Sequence, residues 1–215
     1  AALNDSIFIA RGEDIFLDIE GPTGERVATY CDSIAPESAC TSVQLHLQVA
    51  PHEFADHWNA AQALVAPQVA LAANSPFFFG QRLHAETRIE LFKQATDTRP
   101  IELKNQGVRP RVFFGERWIT SIFDLFEENV RYFPALLAET TDEDPIAKLE
   151  AGIAPDLAEL RLHNGTVYRW NRPIYDTVGG VPHLRVENRV LPAGPTIADV
   201  LANAAFYYGC IRVLE

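Results

Sequence analysis

Hydrophobic and polar positions alternate most regularly over residues 42–49. Aliphatic side chains at positions 43, 45, 47 and 49 are separated by polar ones, with Gln44, His46 and Gln48 on the polar side. A period of two is typical of a strand with one buried face. The pattern therefore predicts a strand that packs its aliphatic face on a core and presents a polar face with one titratable group.

A second alternating segment covers residues 183–190. One set of alternate positions holds His183, Arg185, Glu187 and Arg189, while the other set holds aliphatic and amide side chains. Neighbours on one face of a strand are about 7 Å apart. The segment therefore predicts a strand on which Glu187 lies between two guanidinium groups.

Three segments have helical character. Residues 51–73 are rich in Ala, Leu and Val, although Pro67 is expected to kink or split this helix. Residues 121–133 and 196–213 each begin with a Ser or Thr that is followed three positions later by Asp. That spacing is typical of a capping box at a helix N-terminus.

Two turn signals are expected to join short strands. The Gly-Pro-Thr-Gly sequence at residues 21–24 predicts a strand–turn–strand unit within residues 7–28. Asn164-Gly165 lies between two apolar runs and predicts a β-hairpin. Together these elements predict a single α+β domain over residues 1–215, an antiparallel sheet with helices packed on its aliphatic face.

The composition is that of a folded, acidic protein. Hydrophobic residues make up 47% and charged residues 22% of the chain, close to the averages of globular proteins. The formal net charge is −11, which argues against sequence-independent nucleic-acid binding because such binding needs a surplus of Lys and Arg. No apolar run approaches the roughly 20 residues of a membrane span, so no membrane association is expected.

The cysteines and the N-terminal residues indicate the cellular compartment of the protein and whether the chain is part of a longer one. Cys31, Cys40 and Cys210 are an odd set without CxxC spacing, which fits neither a zinc site nor a disulfide framework. We therefore expect a reduced, cytoplasmic protein. The chain contains no methionine and begins with Ala1, so we expect it to be an interior or C-terminal piece of a longer catalytic domain.

The charged strand is the first candidate for chemistry. Arg185 and Arg189 offer planar forks that suit phosphate or carboxylate groups, and Glu187 between them could ligate Mg²⁺. The alternative is a charge ladder on the protein surface, with modest pairing energy.

Other polar side chains add weaker candidates. His46, flanked on its face by Gln44, could belong to a metal–nucleotide site, or it could be a solvated strand histidine. Asn74 and Ser75 occupy a turn and could hydrogen-bond a substrate, or they could be turn residues only. Arg88 could clamp a carboxylate, or it could pair with a neighbouring glutamate.

Several common catalytic motifs are absent. The chain has no phosphate-binding P-loop, no G-x-S-x-G elbow, no H-E-x-x-H zinc motif and no Rossmann fingerprint. The candidate chemistry therefore depends on the two alternating strands and on whether their polar faces share one cavity.

Three segments in order resemble the second type of glutamate–cysteine ligase. Residues 42–47, SVQLHL, resemble the family strand (S/G)-x-(Q/H)-x-H-(V/L). Residues 70–77, ALAANSPF, followed by Arg88, resemble its A-L-S-A-N-S-P-F…R segment. Residues 186–190, VENRV, resemble its (I/V)-E-x-R strand. The resemblance covers roughly residues 40–212.

The resemblance implies a glutamine-synthetase-like fold, whose curved antiparallel sheet binds ATP and divalent metals on its concave face. It implies an ATP-dependent carboxylate–amine ligase that forms an acyl phosphate for attack by an amine. The substrates would be small molecules, glutamate or a similar carboxylate and an amine, and the chain could form homo-oligomers.

The resemblance also implies a role for each candidate residue. Glu187 and His46 would ligate the metal, Mg²⁺ or possibly Mn²⁺. Arg189 would stabilise the transferring phosphoryl group with help from Arg185, and Gln44, His46 and Arg189 would contact the nucleotide. The substrate-binding set would be Asn74, Ser75, Arg88 and Arg172.

The sequence departs from the family pattern in three places. Gln44 stands where many relatives have histidine, and Leu191-Pro192 where several have an aspartate. The family's N-terminal acidic strand, G-x-E-x-E, has no counterpart in the chain. We therefore expect an incomplete metal site and an inactive isolated chain, and the departures leave the amine acceptor open.

Two other functions remain open. A guanidino phosphotransferase of related fold would need an arginine-dense nucleotide site and a reactive cysteine near the guanidine. Loss of nucleotide binding on thiol modification of Cys31, Cys40 or Cys210 would support it. A non-catalytic binding domain that retains the fold is the other alternative. Metal-dependent ATP binding tested with Glu187→Ala separates it from the enzymes.

Overall fold

The protein is built from short strands and nine helices within residues 2–215, the part of the chain that the computed structural model describes. In chain order the strands are β1 (Ile15–Glu20), β2 (Arg26–Cys31), β3 (Leu45–Val49), β4 (Phe77–Phe78), β5 (Gln81–Arg82), β6 (Val112–Phe113), β7 (Tyr168–Arg169), β8 (Asn171–Val178) and β9 (Val181–Asn188). The helices are α1 (Ala2–Arg11), α2 (Ala35–Ser38), α3 (Phe54–Ala72), α4 (Thr87–Ala95), α5 (Ile101–Asn105), α6 (Ile122–Tyr132), α7 (Pro145–Glu150), α8 (Ala158–Gly165) and α9 (Ile197–Leu214).

The central sheet has the strand order β3-β9-β8, and both of its pairings are antiparallel. Strands β8 and β9 are joined by Gly179-Gly180, and both glycines have positive φ angles, 58° and 78°. Two-residue hairpin turns need this left-handed backbone, which glycine adopts without strain. The predicted α+β class with an antiparallel sheet is therefore confirmed.

The hairpin predicted at Asn164-Gly165 is wrong, because these residues end helix α8. The Asn164 side chain is buried and donates to the Pro173 carbonyl at 2.7 Å, and it accepts from Asn129 at 3.0 Å. These tertiary hydrogen bonds use the asparagine in a helix, so its turn propensity is overridden.

The main core lies between the sheet and helices α3 and α9. The buried side chains of this cluster come from both sides, and they include Phe54, Trp58, Val186, Leu191, Tyr207 and Ile211. The sheet contributes the aliphatic positions of the alternating segments, including Leu45 and Val49. The predicted burial of the aliphatic face is therefore confirmed.

Helix α3 continues through Pro67, so of the two predicted effects of this proline, a kink or a split, the split is wrong. Pro67 removes one backbone hydrogen bond, but the next residue holds the helix to the sheet. Gln68 is buried and exchanges two side-chain hydrogen bonds with Asn188 of β9, each 3.1 Å long. Such a doubly bonded amide pair compensates for the loss.

A smaller layer consists of the antiparallel β1–β2 hairpin and helix α4, with a core of Ile15, Leu17, Ile19 and Leu91. The predicted strand–turn–strand unit is confirmed for residues 15–31. Residues before Gly12 instead form α1, which buries Ile7 completely.

Helix α9 is long and apolar enough to cross a membrane by length and composition, which differs from the expectation that no segment reaches that length. Its inner side packs on α3 and the sheet through Tyr207 and Ile211. These two residues are the buried ones of the helix, whereas Ile197, Leu201 and Val213 are exposed, so α9 packs on the domain along one side only.

The capping box of α9 gives a direct stability prediction. The Asp199 carboxylate accepts hydrogen bonds from the Thr196 backbone N–H at 3.0 Å and from its hydroxyl at 2.6 Å, and the Thr196 hydroxyl accepts from the Asp199 N–H. Thr196→Ala is expected to lower the free energy of unfolding by about 1 kcal/mol, measured by urea denaturation. Thr140→Ala, at an exposed threonine, is the control and is expected to change it little. Equal effects of the two substitutions would contradict the capping role.

Candidate active site

One face of the central sheet collects most of the predicted site residues. His46 pairs with Glu187 across β3 and β9, and Glu187 pairs with Arg172 across β9 and β8. Directly paired residues project from the same face of a sheet. Gln48 and Arg185 form the next pair along the same face. The expectation that His46 and the charged row share one face is therefore confirmed.

Glu187 is the centre of this face. Its side chain is only 4% exposed, and its Oε2 accepts a hydrogen bond from Arg172 Nε at 2.6 Å. His46 Nε2 lies 3.5 Å from Oε1, and Arg189 Nε lies 4.0 Å from Oε2. A buried carboxylate needs such partners because desolvation of an unpaired charge is costly. Glu187 therefore holds three basic side chains together.

Arg189 lies at one end of the row, and the hydrogen-bond donors of its guanidinium are unused among the described residues. Its side chain is 14% exposed, and its guanidinium makes no hydrogen bond to any residue within 2–215. Burial lowers the pKa of Arg189, the charge of Arg172 lowers it further, and Glu187 opposes the shift. A guanidinium nevertheless stays charged in proteins, so Arg189 is suited to an anion.

A small cavity of about 70 Å³ lies in front of Arg189. Gln44 and Ser42 line it on one side, and Tyr168 and Trp170 on another. The Arg189 guanidinium lies 5.7 Å from the centre of the Tyr168 ring. Two of the three predicted nucleotide-contact residues, Gln44 and Arg189, therefore line one cavity. His46, Glu187 and Arg185 share the sheet face but do not line this cavity, so the predicted common cavity holds only part of the set.

Arg185 is held at the other end of the row. Its Nη1 lies 2.8 Å from His183 Nε2, and its Nη2 donates to Asp176 at 3.4 Å. Its Nε is buried without a hydrogen-bond partner within residues 2–215. Arg185 is therefore anchored away from Arg189 and faces the same side of the sheet.

Asn74 and Ser75 lie apart from the sheet face, in a cleft of about 340 Å³. The Asn74 amide donates to the Ala193 carbonyl at 2.9 Å, and the Ser75 hydroxyl accepts from the Arg88 backbone N–H at 3.1 Å. Both side chains line the cleft but also fix its shape.

Arg88 connects the cleft to the cavity, since it lines both of them. It is 3% exposed, and its Nε donates to Glu86 at 3.1 Å. Its Nη2 donates to the carbonyls of Arg189, at 3.0 Å, and Val190, at 2.5 Å. These bonds hold the end of the charged strand, which is a positioning role and leaves little of the fork for a substrate.

The arrangement suits an anion better than a bare divalent metal. Within residues 2–215 no three His, Cys, Asp or Glu side chains are grouped as a metal site. Mg²⁺ takes six oxygen ligands, whereas the face supplies one carboxylate, already bonded to Arg172, and the His46 imidazole. The Arg189 guanidinium, which lines the cavity, fits phosphoryl or carboxylate oxygens.

The cysteines do not provide a reactive thiolate near Arg189. All three are free, and Cys40 lines the cavity. Burial raises the pKa of the Cys40 thiol to about 11, so it is protonated at neutral pH. A nucleophilic cysteine would need the opposite shift.

Sequence reasoning missed Glu37, Tyr168 and Trp170, which line the cavity of Arg189. Glu37 lies on the four-residue helix α2, and Tyr168 on the two-residue strand β7. Elements this short have no periodicity, so the sequence contains no signal that could have singled them out.

A family model described as glutamate-cysteine ligase family 2 (GCS2) matches residues 25–213. The matched range contains every residue of the polar sheet face, the cavity and the cleft. No curated protein and no solved structure shows significant similarity to the chain.

Proposed function

Because the chain belongs to glutamate–cysteine ligase family 2, we propose that its polar sheet face activates a substrate carboxylate with ATP for condensation with an amine. The family is one of carboxylate–amine ligases that use ATP. The observation that carries the proposal is the convergence of Arg172, Arg189 and His46 on the buried Glu187, next to an open cavity.

The proposed reaction has two steps. A carboxylate oxygen of the substrate attacks the γ-phosphorus of ATP, the bond from that phosphorus to the bridging oxygen breaks, and ADP leaves with the electron pair. The amine nitrogen then attacks the acyl carbon of the acyl phosphate, and inorganic phosphate leaves with the electrons of the carbon–oxygen bond. The amine gives up a proton, so an amide, ADP and phosphate are the products.

The arginines carry the electrostatic part of this proposal. Negative charge is shared among phosphoryl oxygens during transfer, and fixed cationic donors stabilise it at little reorganisation cost. Arg189 is placed for this because its guanidinium faces the cavity without a hydrogen-bond partner among the described residues. Arg172 adds charge beside it, and Glu187 fixes the orientation of Arg172.

Gln44 and His46 would contact the nucleotide, and Arg185 would receive a more distant phosphate or the substrate carboxylate. Glu187 and His46 are the ligands that residues 2–215 offer to Mg²⁺ or Mn²⁺, so a full coordination shell would need further carboxylates, as the family's acidic strand would provide. The substrates are small molecules, and we place the reaction in the cytoplasm, where ATP is available.

Trapping of the acyl phosphate tests the proposal. The full-length protein, given ATP, Mg²⁺, glutamate and hydroxylamine, is expected to form a hydroxamate together with one phosphate per hydroxamate. Glutamine replaces glutamate in the control, because it lacks the γ-carboxylate. Phosphate release that does not depend on any carboxylate in a panel, or the absence of hydroxamate with every carboxylate, would contradict the ligase mechanism.

A further inference from the structure

Glu37 is a carboxylate in the cavity of Arg189 with no assigned role. It lies on α2 and lines the cavity opposite the sheet, together with Gln44, Tyr168 and Arg189. Its side chain is half-buried and forms no hydrogen bond or ion pair with any residue of the described chain. An acidic side chain beside the proposed phosphoryl site is unexpected, because it would repel a phosphate.

The other charges around the cavity are already neutralised. Arg88 is paired with Glu86 at 3.1 Å. Arg169 is paired with Glu128 at 2.5 Å. Of the remaining charged lining residues, Glu37 has no ion-pair partner within the described residues, and Arg189 has only the Glu187 carboxylate, 4.0 Å from its Nε and without a hydrogen bond. An unpaired anion beside a loosely paired cation fits a cationic group and an anionic group that react with each other.

The cavity is small and lies beside a larger space. Its volume is about 70 Å³. Cys40 and Arg88 line both the cavity and the neighbouring cleft of about 340 Å³. The two spaces therefore adjoin each other along these two side chains, which places the cleft next to Glu37 and Arg189.

The cleft has no free charge of its own. Arg88, its single charged lining residue in the described chain, is neutralised by Glu86. The other lining side chains are uncharged, and they include Thr41, Ser75, Phe78 and Leu91. Such a mixed apolar and hydroxyl lining favours an uncharged body over one that bears a second carboxylate.

We propose that Glu37 and this cleft form the binding site of the amine acceptor: the carboxylate receives the ammonium group, and the cleft encloses an uncharged body. The inference rests on the proposed ligase function and specifies the class of amine acceptor, which the proposed function leaves open. Arg189 would hold the acyl phosphate beside the amine, so the two reacting groups meet in the small cavity.

Glu37 would also take the first of the two protons that a primary ammonium loses on the way to an amide. The ammonium transfers this proton to the carboxylate, and the neutral nitrogen then attacks the acyl carbon. The second proton leaves the nitrogen with the departing phosphate. Burial raises the pKa of the Glu37 carboxyl above its ordinary value, while the Arg189 charge opposes the shift. A carboxylate with a raised pKa is a better general base near neutral pH. Tyr168 and Cys40 line the same cavity, and burial raises the pKa of both. Both groups therefore keep their own proton at neutral pH and cannot accept the proton of the amine.

Comparison of two nucleophiles in the full-length protein tests this role. Hydroxylamine is uncharged at neutral pH and needs no carboxylate to accept its proton first, whereas a primary amine is a cation. Glu37→Gln is expected to lower the amine-dependent rate about 10²-fold or more and the hydroxylamine-dependent rate much less, so the ratio of the two rates falls at least tenfold. Glu102→Gln, at an exposed glutamate on α5, is the matched control and should leave the ratio unchanged.

Each outcome of that comparison decides between roles. Equal loss of both rates in Glu37→Gln would mean that the carboxylate only supports Arg189, and no loss would mean that it has no role; either result overturns the inference. Failure of the unmodified protein to form any hydroxamate is a different result, because it overturns the ligase function itself.

An acceptor panel tests the cleft separately. Pairs of amines that differ only by an α-carboxylate, such as cysteamine and cysteine, are expected to differ in KM, with the lower KM for the amine without the carboxylate. A lower KM for the amino acid in every pair would overturn the assignment of an uncharged body.

Discussion

Replacing Arg189 by glutamine is expected to lower kcat for carboxylate-dependent phosphate release from ATP by about 10²–10³-fold, with a smaller change in KM. The guanidinium is mostly buried, faces the cavity and makes no hydrogen bond to residues 2–215, so its donors are available for an oxyanion. Glutamine keeps a polar side chain but removes the charge and all but two of the donors.

The Arg189 prediction is checked by steady-state kinetics of the full-length protein. Arg212→Gln is the matched control, because Arg212 is an exposed arginine near the C-terminus of α9 and does not belong to the sheet. Circular dichroism and urea unfolding of both variants exclude loss of folding as the cause. A decrease of less than tenfold in kcat would show that Arg189 does not stabilise the transferred group.

Replacing Arg169 by leucine is expected to lower the free energy of unfolding by about 3–5 kcal/mol, the largest stability effect that we expect for a single charged residue of this chain. Arg169 is 1% exposed, with Nη2 bonded to Glu128 at 2.5 Å and Nη1 bonded to Asn129. Burial lowers the pKa of Arg169 and Glu128 opposes that shift. Without the guanidinium, the Glu128 carboxylate is left in the interior, and Arg109, 3.8 Å away, is its one remaining cationic partner among residues 2–215.

Two further variants separate the buried charge from side-chain packing. Arg169→Leu combined with Glu128→Leu removes both charges and is expected to recover much of the lost stability, since a buried ion pair can be exchanged for apolar groups at small net cost. Arg131→Leu is the surface control. It breaks an exposed pair with Glu127 at 2.7 Å and is expected to cost less than about 1 kcal/mol. Urea denaturation curves measure all three, and equal effects of Arg169→Leu and Arg131→Leu would contradict the argument.

The sequence was sufficient to predict the face of the sheet that carries the candidate site. The alternation over residues 42–49 and 183–190 has a period of two, and this period assigns each side chain to one of two faces. His46 and Glu187 therefore had to lie on polar faces. The sequence does not reveal that the two strands are neighbours in the sheet, because they are far apart in the chain. The structure shows it through the pairing of His46 with Glu187.

Strand β8 was not predicted, and neither was the part that Arg172 plays. Residues 171–178 combine Asn, Pro, Asp and Thr with few aliphatic positions, so no alternation marks them. The strand exists because β9 pairs with it over eight residues and because buried side chains bond its backbone, as Trp58 does to the Asn171 carbonyl at 3.0 Å. Trp58 and Asn171 are 113 positions apart in the chain, so their hydrogen bond leaves no pattern in the local sequence.

The two-residue strands β6 and β7 were beyond prediction for a related reason. They pair in parallel, Val112 with Tyr168 and Phe113 with Arg169. Two residues are too few to show a period, and the pairing depends on a chain closure over more than fifty positions. That pairing nevertheless positions Tyr168 beside Arg189, so part of the cavity arises from contacts that propensity does not encode.

The register between β3 and β9 has a consequence for how this sequence can evolve. His183, Arg185 and Glu187 stand on alternate positions of β9, which begins just after the tight Gly179-Gly180 turn, and Arg185 and Glu187 pair with Gln48 and His46 of β3. Insertion or deletion of one amino acid between residues 181 and 184 would turn Arg185 and Glu187 towards α3 and α9, and it would expose Val186. Length variation among natural descendants of this gene should therefore be confined to the loops, while β9 tolerates exchanges of residues and not changes in their number.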